Sequence, residues 1–150
     1  MSSLIATSLV DLDVTSSDKD TATRRLAELM HAAGRVTDLD TFLADVTARE
    51  AQMPTGLEGG IGIPHARSAS VTEPTVAFGR SASGVDYGAS DGPAHLIFLI
   101  AAPSGGGDEH LKVLAALARR LVHASFKEAL LQAPDAQDVV DLFEREVVVP

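Results

Sequence analysis

Apolar positions recur every three to four residues toward both ends of the chain and run without a break near its middle. Ala22, Leu26, Met30 and Ala33 mark one face of a helix. Ser16 or Ser17 can cap its start, Asp18 and Asp20 sit in its positive first turn, and Gly34 ends it. A second helix begins near Thr37 or Asp38, carries Leu39, Phe42, Leu43, Val46 and Met53 as its stripe, and stops at Pro54. Thr75–Arg80 (TVAFGR) predicts a strand, and His95–Ala102 (HLIFLIAA) a central strand buried on both faces. The loop Pro103–Gly107 leads to a third helix capped by Asp108, with Leu111, Leu114, Leu117, Ala118 and Leu121 inward. Ser125 and Asp135 are placed to cap two further helices, the last carrying Val139, Leu142 and Phe143. Leu4–Val14, free of Gly and Pro, predicts a short strand or an extended lead-in.

Glycine sharpens this division. Of 12 glycines only Gly34 lies outside the stretch from Gly56 to Gly107, so helical ends enclose a middle of strands and tight loops. The fold expected is α/β, a mixed β-sheet flanked by helices on both sides. At 150 residues it is expected to form a single domain, 1–150. The absence of cysteine excludes a disulfide framework, a cysteine-ligated zinc site and a cysteine nucleophile. A net charge of −9 opposes nucleic acid and anionic membranes as partners. Aromatics at 4 %, with no tryptophan, argue against a base-stacking platform. The first basic residue is Lys19 and the longest apolar run, Leu96–Ala102, is too short to span a bilayer. No export signal or membrane insertion is therefore expected, and the cytoplasm is the expected compartment.

Three features can carry chemistry. In Thr55–Arg67 (TGLEGGIGIPHAR), Gly56, Gly59, Gly60 and Gly62 allow close backbone approach, and Pro64 fixes φ just ahead of His65. No Gly-Lys-Ser/Thr follows and the glycine spacing is wrong for a dinucleotide fingerprint. The segment either holds His65 for a purpose or is a glycine-rich turn with an incidental histidine. In Gly105–His110 (GGGDEH), a helix start favours an anion. His110 can aim at that anion, or can be a solvated histidine beside a cap. Arg49 falls on the inward face of the second helix, with Glu50 beside it pointing elsewhere. A guanidinium there either binds a phosphoryl group or lays its stem on the core and snorkels to water. His31, His95 and His123 read as structural or solvated. Neither HExxH nor G-x-S-x-G occurs, so no metal site or esterase nucleophile is expected.

Together, Arg49-Glu50, Pro54-Thr55-Gly56, Gly62-Ile63-Pro64-His65 and Glu109-His110-Leu111 resemble the enzyme IIA domain of the fructose–mannitol class in the phosphoenolpyruvate-dependent sugar phosphotransferase system. The order and spacing agree from about Leu4 to Glu146. The resemblance implies that His65 takes a phosphoryl group from the phosphocarrier HPr and passes it to a IIB domain. Arg49 and His110 then match the basic residues that hold the phosphoryl oxygens, with Thr55, Gly62, Pro64 and Glu109 in support. No metal and no cofactor are implied. Ala66 departs from the glycine of many relatives, and three glycines loosen the loop before Asp108. The IIB partner of this class carries its phosphoryl group on cysteine, so a cysteine-free chain is expected to meet IIB on a separate chain. Two alternatives stay open. A regulatory branch (nitrogen or potassium control) is phosphorylated on the same histidine, and a non-covalent anion-binding module would take phosphate without an adduct.

Overall fold

The computed structural model describes residues 4–105 and 109–147, and leaves out the side chains of Glu109 and His110. Among the described residues the strands are β1 (Val10–Asp11), β2 (Gly56–Leu57), β3 (Ile61–Gly62), β4 (His65–Ser68), β5 (Thr75–Val85) and β6 (Ala94–Pro103). The helices are α1 (Lys19–Ala32), α2 (Leu39–Gln52), α3 (Glu109–Leu121), α4 (Ala124–Gln132) and α5 (Ala136–Glu146). The strands form one mixed sheet in the order β1-β5-β6-β3-β2, with β4 also paired to β6. β5 runs antiparallel to β6, whereas β3 and β4 run parallel to it in a shared register, Gly62 opposite Ile97 and His65 opposite Ile100.

The continuous apolar run predicted a strand buried on both faces, and β6 divides its side chains between two cores. Leu96, Phe98 and Ile100 pack with α3, α4 and α5. Ile97, Leu99 and Ala101 pack with α1 and α2. Alternation along a strand thus supplies a core to each helical layer, and helices cover both faces as expected. No helix among the described residues is long and apolar enough to cross a membrane.

Local chemistry corrects several boundaries. Asp18, not Ser16 or Ser17, caps α1: its carboxylate accepts the Thr21 N–H at 2.9 Å, and Ser16 instead accepts the Asp18 N–H. Asp38 and Asp135 cap α2 and α5 as expected, through the N–H groups of Thr41 and Asp138. Ser125 lies inside α4, whose cap position is His123 and makes no side-chain cap bond. Met53 is not on the buried stripe of α2. It follows the helix in extended backbone and is 65 % exposed. The expected cap at Asp108 lies outside the described residues.

Candidate functional site

The glycine-rich segment is built as three short strands around an interruption. β2 and β3 form an antiparallel pair with Gly56 opposite Gly62, and both must be glycine. A Cβ on Gly62 would sit 2.7 Å from the ring of Tyr87, and one on Gly56 would sit 2.6 Å from the Ala89 nitrogen. Tyr87 is 1 % exposed and its hydroxyl is 2.7 Å from the Thr23 hydroxyl, so the ring cannot retreat. β3 and β4 lie along the same partner strand but are separated by Ile63 and Pro64. Pro64 has no N–H to give the ladder. Ile63 turns its N–H to the Thr55 carbonyl at 3.2 Å.

This interruption orients the histidine. His65 opens β4, half-buried, with Nδ1 2.9 Å from the Ile63 carbonyl. A carbonyl only accepts, so Nδ1 carries the proton and Nε2 holds the free lone pair. Burial holds the ring below its ordinary pKa of 6.5; the Ile63 bond opposes this, the Arg49 charge adds to it and the Glu50 charge opposes it. The neutral ring therefore predominates near pH 7.

The end of α2 is arranged opposite to the expectation for its two charged residues. Glu50, expected to point elsewhere, is the buried one at 8 % exposure. Its Oε2 accepts the Thr55 N–H at 2.8 Å and its Oε1 the Thr55 hydroxyl at 2.7 Å, with the Lys19 ammonium 3.6 Å away. Arg49 is half-buried rather than inward, and donates through Nη1 to the Met53 carbonyl at 3.2 Å. The physical reason is partnership. The carboxylate finds two donors inside, whereas the guanidinium keeps its head toward water, as the cost of desolvating a charge favours.

Arg49 and His65 line one open pocket of about 270 Å³, with Asp45, Gln52 and Arg67. Arg67 was missed in the sequence, although alternation along a strand puts positions 65 and 67 on one side. Its guanidinium rests on the Ser104 carbonyl at 2.7 Å. Glu50, Lys19, Thr23 and Pro64 line a second hollow of about 210 Å³ between α1 and α2. The structure thus brings His65 and Arg49 together, with Thr55, Gly62 and Pro64 in the segment that shapes them. The side chains of Glu109 and His110 lie outside the described residues. His31 and His95 each set Nδ1 against a backbone carbonyl, of Val36 at 2.9 Å and Ser81 at 2.8 Å. Chemically, the pocket offers a neutral imidazole nucleophile beside two guanidinium groups.

Comparison with known proteins gives a consistent result. Residues 3–146 match the family described as phosphoenolpyruvate-dependent sugar phosphotransferase system, EIIA 2. The chain is 42 % identical over 148 residues to the fructose-specific EIIA component of a phosphotransferase system in Haloferax volcanii, covering 98 % of this chain and 96 % of that one. Among solved structures, the nitrogen regulatory protein IIA-Ntr from Neisseria meningitidis superposes with a TM-score of 0.84 at 31 % identity, over 93 % of this chain and 95 % of the other. The mannitol IIA of Escherichia coli superposes with a TM-score of 0.78 at 26 % identity, over 91 % and 96 %.

Proposed function

The chain belongs to the EIIA 2 family of the phosphoenolpyruvate-dependent sugar phosphotransferase system, and from that premise we propose that it carries the phosphoryl group on His65 Nε2. The observation that carries this reading is the Nδ1 bond to the Ile63 carbonyl. It leaves Nε2 unprotonated, so the attack on phosphorus needs no base. The Nε2–P bond forms in line as the donor's bond to phosphorus breaks, and the electron pair of the broken bond stays with the leaving group. Arg49 and His110 stabilise the charge that spreads over the three equatorial oxygens, with Glu109 in support. Thr55, Gly62 and Pro64 shape the segment that presents the ring. The donor is HPr and the acceptor a IIB domain on a separate chain, in the uptake of a sugar of the fructose or mannitol type. A cytoplasmic carrier formed by one domain, 1–150, fits this role.

The fructose-specific relative at 42 % identity favours transport. The regulatory reading is favoured by the high superposition on IIA-Ntr. One experiment tests the chemistry shared by both. Incubation with phosphoenolpyruvate, enzyme I and HPr is expected to add one acid-labile phosphoryl group, seen by intact mass. His65→Ala is expected to take up none, and Arg49→Ala to fold normally while transferring at least about tenfold more slowly. Uptake by His65→Ala sinks the assignment, and binding of phosphate without an adduct points to the anion-binding module. Deletion beside genes for a sugar permease, with or without a sugar phenotype, separates transport from regulation.

A further inference from the structure

We propose that Glu50 is a positioning residue for the His65 ring, acting through Thr55 and Ile63; this rests on His65 being the phosphoryl carrier. A continuous chain of hydrogen bonds joins the two side chains. The Glu50 carboxylate accepts both the N–H and the hydroxyl of Thr55, at 2.8 and 2.7 Å. The Thr55 carbonyl accepts the Ile63 N–H at 3.2 Å, and the Ile63 carbonyl faces His65 Nδ1 at 2.9 Å.

Three observations make this more than a buried ion pair. First, the position follows Phe42 and Val46 on the buried stripe of α2. An apolar side chain there would avoid the cost of burying a carboxylate, so the charge is retained for what it holds. Second, Ile63 lies where the ladder between β3 and β4 is broken by Pro64. Its N–H is held by Thr55 rather than by a strand neighbour, and the acceptor for the His65 ring is only as well placed as Thr55. Third, Glu50 adjoins Arg49 in the last turn of α2. Clasping Thr55 therefore fixes the connection after the helix, including the Met53 carbonyl on which Arg49 rests. One carboxylate sets the ring that attacks and the end of the helix that carries the guanidinium. Lys19, 3.6 Å away, offsets the buried charge. The Glu50 charge also opposes the depression of the His65 pKa.

The test uses Glu50→Ala, Glu50→Gln, Thr55→Val and Thr55→Ser in the full chain, and reads two quantities. Nitrogen-15 NMR of the His65 ring, recorded without any phosphoryl donor, gives its tautomer and pKa. Transfer from phospho-HPr gives the rate. Glu50→Ala and Thr55→Val are expected to slow transfer at least about tenfold, as displacement of a reacting group does. In both, the Nε2–H tautomer should gain population. Glu50→Gln keeps an acceptor without the charge, so its rate should fall between those of Glu50→Ala and the wild type, and His65 should titrate at lower pH than in the wild type. Thr55→Ser should recover most of what Thr55→Val loses. If Glu50→Ala does not fold, the glutamine and threonine variants decide. The proposal is overturned if Thr55→Val, and Glu50→Ala where it folds, transfer within about twofold of the wild type, or if the loss follows only the unfolded fraction while tautomer and pKa stay unchanged. A wild-type chain that is not phosphorylated on His65 overturns the carrier reading alone, because the tautomer still judges the hydrogen-bond chain.

Discussion

For His65, one arrangement sets both reactivity and pH dependence. In the proposed role the ring must be neutral to attack, and burial, with the Arg49 charge in support, holds its pKa below the ordinary 6.5. Acceptance of the phosphoryl group is therefore expected to stay level as pH falls toward 6.5 and to decline only below it. A histidine depressed in the folded state binds fewer protons there than in the unfolded chain. Stability is thus full above the unfolded value and is lost as pH falls through the folded one. NMR titration of the ring beside a pH–rate profile checks both, and a ring midpoint above 6.5 refutes them. The His65 motif was legible because Gly, Pro and His in that order constrain backbone and chemistry together. Glu50 was not. Positions 49 and 50 both border the stripe through Phe42 and Val46, and periodicity alone cannot tell which charge turns inward. Only the donors at Thr55, five residues on, make the carboxylate the buried one.

Legibility of the elements followed their length and their partners. The helices α2 and α5 have periods and side-chain caps that a sequence displays, α1 has the period although its cap is Asp18 rather than the serines before it, and β6 has an apolar run that few other structures accommodate. β2 and β3 are two residues each and glycine-rich. Their pairing depends on β6 and Tyr87, far away in the chain, and no local pattern announces it. The same dependence makes them fragile. Gly62→Ala would drive a Cβ to 2.7 Å from the Tyr87 ring, which is fixed from behind by Thr23. Overpacking of this kind costs about 1–3 kcal/mol. Because the strand must shift and Ile63 follows it, the His65 tautomer should lose definition as well. Urea unfolding and the ring nitrogen shifts measure the two effects. Unchanged stability with an unchanged ring would show that β3 yields without carrying Ile63.

At the scale of the molecule, one sheet separates two cores, and the site belongs to neither interior. His65 and Arg49 meet in an open pocket where α2 passes β4, whereas the largest apolar side chains are enclosed on either side of β6. This separation lets a chain of net charge −9 still offer an anion two guanidinium groups: Arg49 and Arg67 line the pocket with a single acid, Asp45. It also predicts that stability and transfer respond to different substitutions. Phe98 is fully buried, with its ring 5.1 Å from that of Phe78 and 6.5 Å from that of Phe143. Phe98→Ala removes this contact between β6 and α5 and leaves a cavity, at an expected cost of about 3–5 kcal/mol. Its neighbours in β6 still present Ile100 to His65 in the parallel register. The folded fraction should therefore accept the phosphoryl group at close to the normal rate, with His65 titrating as in the wild type. Arg49→Ala should do the reverse, slowing transfer with little change in unfolding midpoint. Chemical denaturation and single-turnover transfer on both variants give the comparison. A Phe98→Ala protein that is fully folded yet slow would show that the α3–α5 core sets the geometry of the pocket, and that the two layers do not act independently.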